Sequence, residues 1–330
     1  MKLATFVRDG RPRVGIVHGD NDLIFDLTTS AVKERIDEPT FRSMLDLIDA
    51  GPRAIEQATR LFESLSPDPS VSVPLSSVRL LAPLAPRQMR DAMNFPDHIR
   101  QAPAGMLKLA ARLRGETPAA AIQPVAEVPE VFRRQPIFYF TNHLSVSGHD
   151  AVVHWPRYSS VMDFELEFGV IIGRQGRNIE AREGRQHIFG FTVFNDFSAR
   201  DTQVIEAEGK MGPAKAKSFD GGNVLGPWIT TADEIPDPYS LAMAVRVNGQ
   251  TWANGSSSGM LHSFEEIIAH MTRDETLYAG EFIGSGTMSN GCGLELDRYL
   301  SDGDVVELEV EKIGVLRNRV VALRDDRPAD

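Results

Sequence analysis

The sequence predicts an α+β protein that consists mostly of β-structure, with a sandwich-like or barrel-like core. Many short apolar runs are separated by turns that contain glycine and proline, and only a few segments have helical spacing. The chain has 330 residues, enough for one large domain with a small companion. Its 42% hydrophobic and 25% charged residues are typical of an ordinary globular protein.

The first part of the chain predicts a small N-terminal domain over residues 1–77. Its expected elements are a hairpin followed by two helices, at residues 3–7, 14–17, 43–48 and 55–65. The hairpin is predicted by the turn sequence at 9–12, Asp-Gly-Arg-Pro. The proline-containing segment 66–70 interrupts the pattern as a linker would.

The pattern over residues 78–330 predicts a larger, β-rich domain. Its strand-like runs are 137–140, 151–154, 164–172, 190–194, 242–247 and 305–310. Between residues 102 and 135 the composition changes to alanine, proline, arginine and glutamate, with one helical apolar face at its start. This insertion is interpreted as a mobile lid over a site, with a surface decoration or an oligomer contact as the alternative.

Charge and cysteine content restrict the class of function. The net charge of −11 argues against nucleic acid and anionic lipid as partners, because both require a basic surface. A single cysteine excludes an intrachain disulfide. The N-terminus lacks the apolar core of a signal peptide, and we find no apolar run long enough to span a bilayer. We therefore expect a cytoplasmic protein.

The segment 162–172 carries two glutamates in an apolar strand. Side chains alternate along a strand, so Glu165 and Glu167 share one face and lie about 7 Å apart. Carboxylates this close repel each other unless water, a cationic side chain or a metal ion neutralises them. Hard oxygen ligands favour Mg²⁺, Mn²⁺ or Ca²⁺ over zinc. The alternative interpretation is a solvated strand face.

A second polar group follows the apolar strand at 189–194. Asp196, Arg200 and Gln203 are spaced four and three residues apart, so one helical turn could present them on a common side. In this interpretation, the Asp196 carboxylate would bind a metal, the Arg200 guanidinium would bind a carboxylate of a ligand, and the Gln203 amide would bind a carbonyl. The alternative is an N-cap aspartate with an ordinary Asp–Arg pair.

These segments and several later ones resemble the fumarylacetoacetate hydrolase family in order and spacing from about Leu81 to Val321. The matching motifs are Asp163-Phe164-Glu165-Leu166-Glu167, Asn195-Asp196-Phe197-Ser198-Ala199-Arg200-Asp201, Lys217-Ser218-Phe219-Asp220, Leu225-Gly226-Pro227-Trp228, Val247-Asn248-Gly249, Gly286-Thr287 and Gly303-Asp304. Each motif is weak by itself, but together they make chance similarity implausible. The resemblance implies a mixed β-roll catalytic domain, a homodimer and a small keto acid substrate.

The resemblance also implies the roles of particular residues. The divalent ion, Mg²⁺ or else Mn²⁺ or Ca²⁺, would be held by Glu165, Glu167, Asp196 and Asp97. The substrate would be bound by Arg200, Gln203, Lys217, Thr287 and Tyr139. In such a site the ion acts as a Lewis acid that stabilises an enolate. Arg200 would bind a substrate carboxylate in a bidentate manner through its guanidinium.

The general base departs from the family pattern. Compact members carry a His-x-x-Glu sequence where this chain has His98-Ile99-Arg100-Gln101, and glutamine cannot accept a proton. Glu295, in a Leu-Glu-Leu context, resembles the glutamate that orients the catalytic histidine in the fumarylacetoacetase branch. The histidine itself would be His98 or His143. Lys217 would stabilise or protonate the carbanion.

Three functions follow from this pattern. The first is hydrolysis of a C–C bond in an acylpyruvate-like or fumarylacetoacetate-like diketo acid. The second is a decarboxylase or dehydratase, which needs the enolate but no activated water. The third is a metal-binding protein without activity, which gives no reason for the joint presence of the proposed site residues. A nucleophilic role for Cys292 is disfavoured because no local histidine partner is evident in the sequence.

Overall fold

The structure is a computed structural model that describes residues 1–36 and 39–322. Its α-helices are α1 (Leu27–Lys33), α2 (Met44–Asp49), α3 (Pro52–Leu65), α4 (Pro96–Leu113), α5 (Glu130–Arg134), α6 (Ala181–Gly184), α7 (Arg200–Glu208), α8 (Phe264–Met271) and α9 (Gly293–Leu296). In the described ranges, none of these helices combines the length and apolarity that crossing a membrane requires.

The strands are short and follow one another through most of the chain. They are β1 (Lys2–Arg8), β2 (Arg11–His18), β3 (Leu23–Asp26), β4 (Ser72–Pro74), β5 (Arg79–Leu80), β6 (Met89–Ala92), β7 (Phe138–Thr141), β8 (Val146–Ser147), β9 (Val152–Trp155), β10 (Met162–Asp163), β11 (Leu166–Ile172), β12 (Gly176–Arg177), β13 (Ile188–Asp196), β14 (Ser198–Ala199), β15 (Asn223–Thr231), β16 (Ala242–Val247), β17 (Gln250–Ser256), β18 (Thr276–Leu277), β19 (Phe282–Gly284), β20 (Val305–Val310) and β21 (Gly314–Ala322).

Two sheets account for most of these strands. The larger has the order β4-β3-β2-β1-β15-β13-β11-β19-β6-β7, and the smaller has the order β17-β16-β20-β21-β9. Most pairs are antiparallel, while β8 with β15, β6 with β19 and β9 with β21 are parallel. The apolar faces of both sheets meet in the main core. The predicted α+β, strand-rich class with mixed sheets is confirmed.

The predicted N-terminal hairpin is present as β1 and β2. Arg8 pairs with Arg11, so Asp9 and Gly10 form a two-residue loop. Both loop residues have positive φ, 52° and 71°. This left-handed backbone matches the twist of the strands and explains why an Asp-Gly pair occupies the turn.

The N-terminal segment shares its core with the rest of the chain. β1 pairs with β15, which continues the large sheet across the predicted boundary at residue 77. Phe25 and Leu47 pack in the same buried cluster as Phe194 and Leu225. The segment buries its apolar face against the rest of the large sheet, and the division into two domains remains a prediction.

Asp196 is the last residue of β13, as predicted, so only Arg200 and Gln203 of the three polar residues lie on a helix, α7. One local expectation was wrong. Glu295 lies on α9 and not on a strand. The reason is a long-range contact that the local pattern does not show: the Asp163 carboxylate accepts hydrogen bonds from the backbone N–H groups of Gly293 (2.7 Å) and Leu294 (2.9 Å), at the start of that turn.

The predicted insertion begins inside a helix. α4 starts at Pro96, a residue that suits the first helical turn, and continues to Leu113. Residues 102–113 thus continue an element that begins beside the site. The interpretation of 102–135 as a mobile lid remains a prediction.

Candidate active site

Three strands of the large sheet bring three carboxylates together. Glu167 lies on β11, Asp196 ends the adjacent β13, and Asp91 lies on β6. One oxygen of each carboxylate lies within 4.8 Å of one oxygen of the other two. We call Asp91, Glu167 and Asp196 the acidic triad.

The strand between β11 and β6 carries a glycine where the triad needs space. Gly284 on β19 pairs directly with Asp91. A Cβ atom at Gly284 would lie 2.4 Å from Asp91 Oδ1 and 3.1 Å from Glu167 Oε2. The two carboxylates can therefore approach each other across β19 only because this position has no side chain.

The acidic triad is buried, and part of it has no hydrogen-bond partner. Glu167 Oε2 and Asp196 Oδ1 are both inaccessible and unpartnered. Burial and repulsion from Asp91 raise the pKa of Glu167 well above its usual range. Burial raises the pKa of Asp196 to about 7, although Lys217 opposes the shift. Buried carboxylates of this kind are costly unless a cation compensates them.

Glu165 lies beside the triad and is held by two cations. Its Oε1 accepts a hydrogen bond from Arg200 Nη2 at 2.6 Å, and its Oε2 accepts one from Lys217 Nζ. Burial would raise the pKa of Glu165, but Lys217 and Arg200 hold it well below its usual range. Lys217 also donates to Asp196 Oδ2, so it links Glu165 to the triad.

Asp97 requires a correction. It lies in the first turn of α4, its side chain is 51% exposed, and it pairs with Arg100 at 3.1 Å. Asp91, which was not among the four predicted metal ligands, lies in the triad, and Asp97 does not. The sequence shows only that Asp91 follows Arg90 in a short run before the Asn-Phe-Pro segment, and its burial is visible in the structure alone.

Arg200 is committed to the protein itself. It is 1% exposed, and its Nε, Nη1 and Nη2 donate to Asp163 (2.8 Å), Gln203 (2.7 Å) and Glu165 (2.6 Å). Burial would lower the pKa of Arg200, but Glu165 and Asp163 raise it well above its usual range. In this structure the guanidinium pairs with Glu165, and its role in binding a substrate carboxylate remains a prediction. Asp163 ties the same guanidinium to α9.

We expect Arg200→Lys to lower the free energy of unfolding by about 1.5–3 kcal/mol. A lysine ammonium cannot reproduce the planar set of N–H donors of the guanidinium, so at least one charge-assisted hydrogen bond is lost. Urea unfolding of the metal-free protein measures this change. Arg114→Lys is the matched control, since Arg114 pairs with Glu116 at a surface where both side chains are more than half exposed. Unchanged stability of the Arg200 variant, with a raised KM, would assign Arg200 to the substrate instead.

The other residues expected to bind substrate surround the triad. The Tyr139 hydroxyl donates to Asp196 Oδ2, and Thr287 Oγ1 donates to Glu167 Oε1 at 3.3 Å. Burial would lower the pKa of Lys217, but Asp196 and Glu165 raise it, so its amine keeps its proton. A stabilising role therefore suits Lys217 better than proton donation.

The structure brings His98 and Glu295 together. His98 Nδ1 lies 3.3 Å from Glu295 Oε2, and the Glu295 side chain is fully buried. Burial would lower the pKa of His98, but Glu295 raises it above its usual value. With Nδ1 against the carboxylate, Nε2 is the ring nitrogen available to a molecule in the adjacent cavity. We call His98 and Glu295 the His–Glu pair.

His143 lies away from the acidic triad, and Cys292 is a buried thiol beside the His–Glu pair. His143 lines a different cavity, together with Arg13 and Arg79. The Cys292 thiol is buried and donates a hydrogen bond to Glu295 Oε2 at 3.2 Å. Burial and the charge of Glu295 raise the pKa of this thiol well above its usual range, which disfavours the nucleophilic thiolate.

A cavity of ≈ 280 Å³ joins these groups. Its lining includes Asp91, Glu165, Lys217, Tyr139, Thr287, His98, Arg200 and Gln203. The candidate base and the acidic region therefore face one space of the size of a small organic acid.

The residues present fit a divalent cation. Five buried carboxylates, the acidic triad with Asp163 and Glu165, are accompanied by two buried cations, Arg200 and Lys217. The unpartnered oxygens of Glu167 and Asp196 are hard ligands that suit Mg²⁺, Mn²⁺ or Ca²⁺. Glu165 remains a candidate further ligand, because a carboxylate has lone pairs beyond the two hydrogen bonds it accepts.

Comparison with known proteins gives a consistent result. The family described as fumarylacetoacetate (FAA) hydrolase C-terminal matches residues 89–321. The oxaloacetate tautomerase YisK of Bacillus subtilis (strain 168) is 30% identical over 330 aligned residues, covering 97% of this chain and 100% of that protein. The mitochondrial oxaloacetate tautomerase FAHD2A of Homo sapiens is 29% identical and covers 94% of this chain and 88% of its own.

A solved structure extends the similarity to the whole fold. The fumarylacetoacetate hydrolase of psychrophilic Exiguobacterium antarcticum superposes with a TM-score of 0.72 at 28% sequence identity. The alignment covers 98% of this chain and 100% of that one. The N-terminal segment is therefore included in the structural match.

Proposed function

The chain belongs to the fumarylacetoacetate hydrolase family, and on that premise we propose that it is a divalent-metal-dependent enzyme that hydrolyses a C–C bond in a small 2,4-dioxo acid. The observation that carries the proposal is the His–Glu pair, because its His98 lines the same cavity as Asp91 and Glu165. Hydrolysis requires a base that activates water, and the broken His-x-x-Glu sequence had left that base in doubt.

The acidic triad would hold the cation, with Glu165 as a candidate further ligand. A bound divalent ion supplies Lewis acidity toward the oxygens of a keto acid. Lys217 and Arg200 keep Glu165 charged and in place. Tyr139 and Thr287 hold one oxygen each of Asp196 and Glu167, which leaves the other oxygens of those carboxylates unpartnered.

The His–Glu pair would move the protons. Neutral His98 accepts a proton from water, and the resulting hydroxide attacks the acyl carbonyl carbon. The bond between that carbon and the neighbouring methylene then breaks, and its electron pair forms the enolate of pyruvate. The imidazolium of His98 returns the proton to carbon, which gives pyruvate, and the carboxylic acid released from the acyl group loses its proton to solvent. Glu295 stabilises the imidazolium while it exists.

Keto–enol tautomerisation of a 2-oxo acid is the second candidate. It is favoured by the oxaloacetate tautomerase of Bacillus subtilis, which is 30% identical over nearly the full chain. The same His98 would take a proton from carbon while the keto oxygen gains one from solvent, without attack by water on the carbonyl carbon. A decarboxylase or dehydratase would require no activated water and would leave the His–Glu pair without a role in bond cleavage.

Proton NMR of 2,4-dioxopentanoate with the protein and Mg²⁺ tests the proposal. We expect acetate and pyruvate in equal amounts, and we expect a chelator to stop their release. Faster exchange of the C3 protons with solvent, without pyruvate, would identify the tautomerase. Absence of both reactions with Mg²⁺, Mn²⁺ and Ca²⁺, while the protein still binds the metal, would favour the metal-binding protein without activity.

A further inference from the structure

The cavity has two ends with different chemistry. One end carries the carboxylates and cations of the site. The other is formed by four apolar side chains that pack on one another, Met93, Ala102, Met106 and Leu294. We call these four residues the apolar wall. Ala102 and Met106 belong to α4, and Leu294 belongs to α9.

The apolar wall is held by a close helix contact. A Cβ atom at Gly105, between the wall-lining turns of α4, would lie 2.7 Å from the carbonyl oxygen of Leu294. Only a glycine allows α4 to approach α9 this closely, so the wall is a packed surface. The Asp163 carboxylate fixes α9 from the other side.

The cationic side chains of the cavity are already paired with carboxylates of the protein. Among the described residues that line the cavity, the arginine is Arg200 and the lysine is Lys217. Both donate to buried carboxylates, Arg200 to Asp163 and Glu165, and Lys217 to Glu165 and Asp196. The remaining histidine in the lining, His98, is paired with Glu295.

The outer part of the lining adds an acidic residue. Glu206 of α7 lines the cavity, and its carboxylate accepts hydrogen bonds from the backbone N–H groups of residues 214–216. Gln203 of the same helix also lines the cavity, and its amide oxygen accepts a hydrogen bond from Arg200. A second carboxylate on a substrate would thus meet apolar side chains, another carboxylate or a neutral amide, and, among the described lining residues, no cation that is free to pair with it. Desolvation of a charge without a partner is costly.

We propose that the substrate has an uncharged, apolar tail at the end remote from its keto acid group, and that Met106 and Leu294 select it. This inference rests on the function proposed above and deepens it. It separates the chain from enzymes whose substrates carry a carboxylate at both ends. Each methylene of the tail that is buried against the apolar wall should improve binding about fourfold, the factor expected for one buried CH₂.

Two 2-oxo acids of equal chain length, which cannot be hydrolysed, test the preference for an apolar tail independently of the reaction. In calorimetry with Mg²⁺ present, 2-oxoheptanoate should bind on the order of 10²-fold more tightly than 2-oxoheptanedioate. Met106→Arg places a cation at the apolar wall and should reduce that ratio at least about tenfold, the effect of one charge-assisted hydrogen bond. Leu107→Arg is the matched control, because Leu107 is 60% exposed on the same helix and does not line the cavity.

The outcomes distinguish the inference from the function. Equal or tighter binding of the dioate by the parent protein would overturn the apolar tail, even if 2,4-dioxopentanoate is cleaved. A ratio that changes equally in the Met106 and Leu107 variants would remove Met106 from the selection. Preferential binding of 2-oxoheptanoate without turnover of 2,4-dioxoheptanoate would support the apolar tail and contradict the hydrolase.

Discussion

Replacing Asp91 by asparagine is expected to lower kcat/KM by on the order of 10³-fold, because the cation supplies several kcal/mol of transition-state stabilisation and Asp91 belongs to the acidic triad. The same change at Asp97 should leave activity nearly unchanged. Asp97 is exposed on α4 and paired with Arg100. The pair of variants decides which of the two aspartates belongs to the metal site.

Metal-induced stabilisation gives a second measurement that does not depend on activity. At a Mg²⁺ concentration of about 100 times Kd, the parent protein should gain about 2.7 kcal/mol in its free energy of unfolding. The Asp97→Asn protein should show the same gain, and the Asp91→Asn protein should lose most of it. A full gain in the Asp91 variant together with its loss in the Asp97 variant would restore Asp97 as the ligand.

Replacing Glu295 by glutamine is expected to lower kcat by 10²–10⁴-fold, the usual range for a group in acid–base catalysis. Glu295 contacts His98 Nδ1 and would stabilise the imidazolium that forms in the reaction. Metal-induced stabilisation should be preserved, because Glu295 is not in the acidic triad. Asp297→Asn is the matched control, since Asp297 lies two residues away and pairs with Arg112 at the surface.

The pH dependence of kcat/KM provides a further readout for Glu295. His98 accepts a proton only when neutral, so activity should fall as pH falls below the pKa of His98. Glu295 raises that pKa, whereas burial by itself lowers it. The glutamine variant should therefore keep its remaining activity to lower pH than the parent. A slower enzyme whose acidic limb stays in place would give Glu295 a purely structural role.

Several features of the fold were decided by short stretches of sequence. Asp9 and Gly10 predicted the first hairpin because both loop residues need positive φ. The alternation around Glu165 and Glu167 predicted the strand that carries the acidic site. The strand at 242–247 and the strand at 305–310 have the predicted bounds. In each case the relevant interactions lie within a few residues.

Which charged side chains contact each other in the site depends on the tertiary structure. Asp91 joins Glu167 because β6 lies beside β19 with Gly284 between them, a pairing of segments distant in the chain. His98 meets Glu295 because α4 packs on α9, and α9 starts where Asp163 accepts its N–H groups.

The motif around Arg200 also shows one feature that the sequence predicted and one that only the tertiary structure shows. Its local spacing predicted a turn that carries Arg200 and Gln203, and these residues do lie on α7. The sequence by itself determined which residue types the site contains, because alternation and helical spacing act over a few residues. The pairing of Arg200 with Asp163 and Glu165 depends on the tertiary structure. A buried guanidinium needs carboxylate partners, and the arrangement of the strands determines which carboxylates lie beside it.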